Sequence, residues 1–301
     1  LEARGVRAGK LIVKELQGEF ELKYAEHPYV HARINRYEVD IVPCYKINLG
    51  ERIISAVDRS PLHNAYVLAN LDASLRDDVR LLKQFCKGIG VYGSDLKTRG
   101  LSGYCCELLI MHFGKFRSTI KGVASLKPGA IIDVANHYVA RSEREAKRIA
   151  ERLRSMFKGQ PLIVIDPVDA KRNVAASLSC ENFLKLVTKA RAFLKEPSLD
   201  YFFPRKRPLT LVGIQKLKRR ETHFVALIFK RPSVIDDVLY PQLRKALRRL
   251  ATSMRIHGFT VIRSYEFVSD SEAMLIFEVQ ENKLPSIEKR VGPSIFTSPN
   301  R

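Results

Sequence analysis

Two carboxylates that could hold a metal ion lie close together near the start of the chain, at Glu38 and Asp40. One residue separates them, so both side chains would point to the same face of a predicted strand. Asp40 lies in an apolar run, where a carboxylate is costly to bury unless it is paired or bound to a metal. Carboxylate oxygens on a stiff strand suit Mg²⁺ and the two-metal chemistry of phosphoryl transfer. A solvent-facing strand, or ion pairs with Arg33 or Arg36, would explain the same spacing.

A second candidate is a phosphate site in residues 58–63, which lead into a predicted helix. The free backbone N–H groups of a helix start, the Ser60 hydroxyl and the His63 ring can all donate to a phosphate. Lys83, one helix later, would add a positive charge. The alternative uses the same residues structurally, with Ser60 capping the helix and Pro61 at its first position.

Polar residues are dense between positions 166 and 174, directly after a buried strand predicted at 162–165. Loops at strand ends often carry functional side chains, and this segment contains Arg172. A capped loop with local Asp–Lys and Asp–Arg pairs is an equal alternative. We therefore predict a loop here and leave its role open at this point.

The glycines at positions 88, 90 and 93 match the G-x-G-x-x-G fingerprint of dinucleotide-binding sites. In that fingerprint the motif links a strand to a helix, whereas here it follows a predicted helix. The pattern therefore favours a glycine helix stop with a tight turn over a cofactor site.

The N-terminal residues predict a small β-sheet. Residues 20–25, 29–34 and 37–45 are short runs rich in aromatic and branched side chains, with a turn at 35–36, and 9–16 has the pattern of a helix end. Three strands and part of a helix leave edges and one sheet face uncovered. We therefore expect a segment before Leu1 to complete this domain.

Helical periodicity replaces the strand pattern from about residue 60 to residue 198. The predicted helices cover residues 75–85, 104–116, 142–157 and 181–194. Gly88 and Gly90 end the first of them, and the second is apolar almost all round, as in a central buried helix. Ser142 and Glu145 are spaced as a capping box at the start of the third.

Proline and charge mark a linker around residues 197–208. Beyond it we predict a strand at 223–230, a helix at 240–257, and strands at 259–268 and 272–279. This β-α-β-β order is most of a ferredoxin-like or RNA-recognition-type sandwich.

The charge of the chain is strongly positive. Its 301 residues include 52 Lys and Arg against 32 Asp and Glu, a formal net charge of +20, and no apolar run reaches the roughly 18 residues of a membrane span. Between residues 201 and 260, fourteen basic residues stand against three acids. This imbalance favours contacts with a phosphate backbone, although a solvated helix face is the usual alternative. The basic residues that we single out are Arg205, Lys206, Arg207, Arg244, Lys245, Arg248 and Arg249.

The five cysteines include no C-x-x-C pair, which gives little support to a zinc site or a disulfide framework. They lie in apolar runs, so we predict buried free thiols in a reducing compartment. The N-terminal residues show no secretory or targeting pattern. We therefore expect a cytoplasmic protein.

Taken in order along the chain, these segments resemble one family, the class I (archaeal-type) CCA-adding enzymes, which are tRNA nucleotidyltransferases. Each motif alone is weak, whereas the ordered set is specific and covers most of the chain. The matching stretches are YAEHPYVH at 24–31, EVDIVPCY at 38–45, SAVDRSPLH at 55–63, VRLLK at 79–83, GVYG at 90–93, SGY at 102–104, DPVD at 166–169, KRNVAA at 171–176, and residues 237–243.

The resemblance implies an α+β fold in four parts. Residues 1–57 would be the C-terminal part of a polymerase-β-type nucleotidyltransferase head, and residues 58–198 a mainly helical neck that binds nucleotide and tRNA. Residues 199–282 would be a ferredoxin- or RRM-like β-α-β-β body, and residues 283–301 the start of a truncated tail.

The resemblance also implies a reaction, the template-independent addition of C, C and A to tRNA 3′ ends from CTP and ATP by two-metal in-line transfer with Mg²⁺. Asp40 matches a catalytic, metal-binding carboxylate. Arg172 matches the residue that reads the incoming base, a task suited to its forked donors. The implied triphosphate contacts are Ser60, His63, Lys83 and Tyr92. Basic residues would hold the tRNA acceptor arm. A homodimer is compatible with the family. A membrane partner is not expected.

The sequence departs from the family pattern in two places. A Gly-Ser loop followed by an Asp-x-Asp strand, which supplies the family's other two catalytic carboxylates, does not occur among these residues. One carboxylate cannot fix two Mg²⁺ ions, so we expect these residues alone to be inactive. Ser60 and Asn64 stand where Thr and a second His are usual, and Ser keeps the hydroxyl. The alternatives are a non-catalytic tRNA- or RNA-binding module and a poly(A)-type template-free polymerase.

Overall fold

The computed structural model describes residues 2–24, 28–48, 50–205 and 220–287. The chain divides into two units, residues 1–204 and residues 205–301, which are described one at a time. Both units mix helices with strands. Within the described ranges, no helix combines the length and the apolar character that a membrane span requires.

The first unit begins with the small sheet that the sequence predicts. Its elements are helix α1 (Glu2–Glu15) and the antiparallel strands β1 (Glu19–Tyr24), β2 (Pro28–Ile34) and β3 (Tyr37–Ile41). Val13 of the helix packs against Val30 and Ala32 of the central strand. Asn35 takes a φ of 55° in the predicted turn. Strand β3 ends earlier than predicted because Pro43, which lacks an N–H donor, follows closely.

Most of the first unit is helical. Its further helices are α2 (Arg59–Asn70), α3 (Arg76–Gly88), α4 (Gly103–Phe113), α5 (Phe116–Ser125), α6 (Glu143–Met156) and α7 (Cys180–Lys195). The main core includes the fully buried Leu82, Phe85 and Leu109. Helix α4 is central, as predicted, but the predicted single helix over 104–116 is wrong. Gly114 takes a φ of 84° and ends α4, and α5 starts two residues later.

The predicted start of α6 is half right. The Ser142 hydroxyl accepts a hydrogen bond from the Glu145 N–H at 3.2 Å, as a capping residue should. The Glu145 carboxylate accepts from the Arg141 N–H at 2.8 Å instead of from the Ser142 N–H, so the capping box is not closed.

All five cysteines are free, but Cys180 is exposed, which corrects the prediction that every thiol is buried.

The first unit also contains a second sheet, whose strands lie along the chain between α5 and α7. It contains β4 (Ala130–Asp133), β5 (Leu162–Asp166) and β6 (Asp169–Asn173), with β4 parallel and β6 antiparallel to the buried β5. The predicted loop at 166–174 is therefore wrong, because most of it forms β6. Asn173 fixes the hairpin, since its side-chain oxygen accepts from the N–H groups of Val164 and Ala175. Tertiary contacts override the low strand propensity of this polar segment.

The second unit has the predicted β-α-β-β order. Its described elements are β7 (His223–Lys230), α8 (Asp236–Ile256), β8 (Val261–Val268) and β9 (Glu272–Val279). Strand β9 lies between the other two and is antiparallel to both. Leu243 and Leu247 of the helix pack on Leu275 and Phe277 of β9. The helix starts earlier than predicted, with two aspartates in its first turn, where negative charge is favourable.

Candidate nucleotide-binding site

Asp40 lies on β3 directly opposite His31 of β2. Its Oδ1 is 2.6 Å from His31 Nδ1, and its side chain is 55% exposed. Glu38 forms the ion pair with Arg33 that the spacing allows, at 3.7 Å. Among the described residues, no group of three or more His, Cys, Asp or Glu side chains could hold a metal ion. The described residues thus offer one carboxylate, not a complete Mg²⁺ site.

The start of α2 differs from the alternative in which Ser60 caps the helix, because α2 begins at Arg59. Asp58 is fully buried, and its carboxylate accepts from the N–H groups of Tyr45, Ile54 and Ser55 at 2.8, 3.2 and 2.7 Å. These bonds begin the helical turn before Ser60, which then lies exposed in the first turn of α2. Burial raises the pKa of Asp58, but the hydrogen bonds outweigh it and leave the pKa below its ordinary value.

His63, on the same helix, contacts a buried carboxylate. Its Nε2 is 2.9 Å from Oδ2 of Asp166, the last residue of β5, whose side chain is fully buried. The imidazole also stacks on the Tyr104 ring, with centroids 4.0 Å apart. Burial is the main cause that raises the pKa of Tyr104, and the Asp166 charge adds to it. The tyrosine therefore remains a neutral hydrogen-bond donor.

Arg172, on β6, contacts the same carboxylate. Its Nη1 donates to Asp166 Oδ2 at 2.7 Å, and its side chain is 37% exposed. Burial raises the pKa of Asp166, whereas hydrogen bonds from His63, the Val168 N–H and Arg172 lower it more strongly. The net pKa lies below the ordinary value, so Asp166 carries a negative charge at neutral pH.

Lys83 and Tyr92 are a second group of predicted site residues that lie close to one another in the structure. Lys83 Nζ donates to Glu107 Oε1 on α4 at 2.6 Å. A side-chain carbon at Gly103 would lie 3.1 Å from the Tyr92 hydroxyl and 3.5 Å from Lys83 Nζ. Burial raises the pKa of Tyr92, the largest of several influences on it. Both predicted phosphate contacts therefore lie at the N-terminus of α4, where backbone N–H groups favour anions.

The loop before α4 depends on glycines. Gly90 and Gly93 take φ values of 68° and 128°. Gly100 lies so close to the preceding chain that a Cβ there would be 2.0 Å from the Val91 carbonyl oxygen. The Leu101 N–H donates to the Val91 carbonyl oxygen at 2.8 Å, and the Gly93 N–H donates to the Leu101 carbonyl oxygen at 2.8 Å. The G-x-G-x-x-G motif thus serves a tight turn, as the sequence indicates.

The first residues of α4 lie between the cluster around Asp166 and the group formed by Lys83 and Tyr92. Gly103 lies beside Lys83 and Tyr92, while the next residue, Tyr104, stacks on His63. A pocket of about 600 Å³ is lined by Ser102, the N-cap of α4, and by Arg172. Its other lining residues include Arg59, Ser94, Asp169 and Lys171. Arg59 also forms an ion pair with Asp169 at 3.1 Å.

The basic residues of the second unit are not equivalent. Arg244 of α8 donates to Glu266 Oε1 at 2.7 Å and lies over the Tyr240 ring. The three other singled-out basic side chains of this helix are exposed: Lys245, Arg248 and Arg249. Arg205 is described and exposed, whereas Lys206 and Arg207 lie outside the described residues.

Sequence reasoning missed three partners of the predicted site residues. Asp166 stands at the end of an apolar strand, a position that signals a buried charge, but its partner His63 is 103 residues away. Glu107 lies in a helix whose pattern indicates only core, and Tyr104, although it belongs to the SGY stretch at 102–104, has no signal that places it beside His63. The local ion pair between Asp166 and Arg172 was foreseeable and is present.

Two family models match the chain and define its class. The model described as tRNA nucleotidyltransferase, second domain, matches residues 77–203, which include α3 to α7 and the second sheet. The model described as CCA-adding enzyme, C-terminal domain, matches residues 220–301. The chain is thus of the tRNA nucleotidyltransferase class.

Individual relatives narrow this class. The chain is 40% identical to the CCA-adding enzyme of Methanococcus maripaludis over 99% of its length, 40% identical to that of Methanocaldococcus jannaschii over 98%, and 38% identical to that of Methanosarcina acetivorans over 98%. It spans 66%, 64% and 62% of the length of these relatives. The chain belongs to the archaeal-type CCA-adding enzyme family, which confirms the resemblance.

Likeness to solved structures is weaker. The structure that describes Cid1 and its RNA terminal uridylyl transferase activity aligns at a TM-score of 0.39 with 14% identity. The alignment covers 69% of this chain and 78% of that one.

Proposed function

We propose that this chain belongs to an enzyme that adds C, C and A to tRNA 3′ ends without a template, using CTP and ATP. The observation that carries the proposal is the arrangement around α4. His63 and Arg172 both contact the buried carboxylate of Asp166. Lys83 and Tyr92 lie beside Gly103 at the N-terminus of α4, and the next residue, Tyr104, stacks on His63. Four of the five nucleotide contacts that the family implies thereby surround one short segment.

In this proposal Arg172 reads the base. A guanidinium has five N–H donors in a fixed fork, so one bond to Asp166 leaves others for a base edge. The position of Arg172 on the wall of the 600 Å³ pocket supports this role.

Ser60, His63, Lys83 and Tyr92 would contact the triphosphate. The ammonium of Lys83 pairs with the Glu107 carboxylate at 2.6 Å. A triphosphate would compete with that carboxylate for the ammonium. The dipole of α4 and its free N–H groups would add to the attraction.

The terminal tRNA hydroxyl would attack the α-phosphorus, forming a new phosphodiester bond while pyrophosphate leaves. Family membership indicates the use of a divalent metal in general, and we propose Mg²⁺. Asp40 would be one of its ligands. The described residues do not complete a Mg²⁺ site.

The partner would be the acceptor arm of tRNA, held by its phosphates through the basic residues of α8 and the linker. We retain the proposed division into a head part (1–57), a neck (58–198), a body (199–282) and a tail start (283–301). The polymerase-β-type head, the RRM-like body and a homodimer belong to this proposal. We also propose a cytoplasmic location, which the five free cysteines support.

The test is extension of a tRNA that lacks its 3′ CCA by the full product of the gene that encodes this chain. With CTP, ATP and Mg²⁺ we expect the addition of three nucleotides, resolved on a denaturing gel. Asp40→Ala should abolish extension while tRNA affinity, measured by filter binding, stays unchanged.

Two outcomes would replace the proposal. Binding of tRNA without extension by the full gene product would indicate a non-catalytic binding module. Continued addition of A beyond one residue would indicate a poly(A)-type polymerase.

A further inference from the structure

Asp166 is the most highly connected carboxylate of the candidate site. Its side chain has no exposed surface. Oδ2 lies 2.9 Å from His63 Nε2 and accepts from Arg172 Nη1 at 2.7 Å. Oδ1 accepts from the Val168 N–H at 3.1 Å and from the Tyr104 hydroxyl at 3.4 Å. The four donors come from α2, α4, β6 and the turn between β5 and β6.

Such a carboxylate cannot also take a substrate or a metal, because its lone pairs are occupied and water is excluded. Its effect must act through the side chains that it holds. Two of these, His63 and Arg172, share the single oxygen Oδ2, so the position of each depends on the same atom. In sequence they are more than 100 residues apart, and no other described side chain contacts both at these distances.

The contact also fixes which His63 nitrogen carries hydrogen. A carboxylate oxygen only accepts, so Nε2 must be the protonated nitrogen. The negative charge of Asp166 compensates a doubly protonated ring as well, and that form has an Nδ1–H to donate to a phosphate oxygen. Stacking on Tyr104 holds the ring plane in this orientation.

We propose that Asp166 is the positioning residue of the nucleotide site, a shared acceptor that orients His63 toward phosphate and Arg172 toward the base. The inference rests on the proposed function for the identity of the ligand. It adds that phosphate binding and base reading are coupled through one buried carboxylate. Asp166 itself touches neither the nucleotide nor the reacting atoms.

The first test needs no nucleotide. The ¹⁵N chemical shifts of His63, assigned by comparison with His63→Gln, report which ring nitrogen is protonated. In the wild-type chain Nε2 should remain protonated throughout about pH 6 to 8. In Asp166→Asn, which keeps the side-chain size, we expect a mixture of tautomers or a displaced shift. A bare Nε2 in the wild-type chain would overturn the inference, whatever nucleotides do.

The second test measures binding of CTP and of ATP by calorimetry. Asp166→Asn should weaken both by about tenfold or more, since the amide carries no charge, keeps only one acceptor oxygen for four donors and turns an NH₂ group toward two of them. Asp78→Asn is the matched control, because Asp78 accepts a structural hydrogen bond from the Phe116 N–H at 2.7 Å, within the helical part of the same unit. The control should lower the melting temperature and leave both affinities unchanged.

The outcomes separate the two proposals. A folded Asp166→Asn chain with wild-type affinities would mean a purely structural carboxylate and would overturn the inference. A full gene product of wild-type sequence that binds neither CTP nor ATP would overturn the proposed function, while the ¹⁵N result would still decide whether Asp166 orients His63. If Asp166→Asn fails to fold, Asp166→Glu serves in both measurements, because it keeps the charge but displaces the shared oxygen.

Discussion

Asp40 and Asp166 are both acids at apolar strands, yet the structure gives them opposite surroundings. Asp40 lies on the edge strand of a small sheet, more than half exposed, with one contact to His31. Asp166 ends a fully buried strand and accepts from four donors. An accessible carboxylate can take an incoming ligand, whereas a saturated one can only hold its neighbours.

This difference explains why one sequence pattern supports two roles. An acid in an apolar run signals a cost of burial that something must offset. For Asp166 the protein itself supplies the compensating groups. For Asp40 exposure to water reduces the cost, and the carboxylate remains available to a ligand from outside.

The largest effect expected from this contrast is on stability. Asp166→Ala should lower the free energy of unfolding by about 3 kcal/mol, because it leaves His63, Tyr104 and Arg172 without their common acceptor. Asp40→Ala should change it by no more than about 0.5 kcal/mol. Urea denaturation of both variants checks this, and comparable losses would remove the distinction between the two carboxylates.

A smaller effect is expected from pH. The pKa of folded Asp166 lies below its ordinary value of 3.8, so its contribution to stability is fully present above that pH. It is lost as the pH falls from 3.8 through the lower folded pKa, because protonation then has to break the bonds from His63 and Arg172. Urea midpoints measured from about pH 6 down to pH 2 should show this decline.

The control for the acid titration is Asp166→Asn, since Asp58 also has a lowered pKa and contributes in the same direction. The variant should show a shallower decline than the wild-type chain. Identical slopes would mean that the Asp166 contacts contribute nothing to acid sensitivity.

The smallest expected effect extends the comparison to basic residues. Lys245 is exposed, whereas Arg244 already pairs with Glu266 at 2.7 Å. Lys245→Ala should reduce the slope of log affinity for tRNA against log salt by about one, and Arg244→Ala should reduce it less. Filter binding between about 50 and 200 mM salt measures both slopes. Equal reductions would show that an existing ion pair does not withhold a side chain from RNA.

The sequence predicts the elements with regular spacing. The short apolar runs in residues 223–230 and 272–279 and the helical period around Leu82 and Phe85 match the observed strands and helix. The errors fall where tertiary contacts decide. Strand β6 is polar and forms because it pairs with β5, and Gly114, with a positive φ that glycine adopts readily, divides the predicted helix.

The candidate site could be predicted residue by residue but not as an arrangement. The motifs identify His63, Lys83, Tyr92 and Arg172, and spacing alone leaves them in separate segments. What joins them is a buried carboxylate and a helix start that are distant in sequence. The sequence offers Ser60 as a possible cap, because Asp58 looks like an ordinary loop acid until its three backbone donors are seen.

Gly100 shows that shape can matter here as much as charge. Even a methyl group at this position would meet the Val91 carbonyl oxygen and force the loop strands apart. Tyr92 lies on one of these strands and α4 begins just after the other. A survey of all substitutions in this protein should therefore find Gly100 as intolerant of replacement as a substrate-binding side chain. Tolerance to substitution would depend on how closely the backbone segments pack as well as on side-chain chemistry.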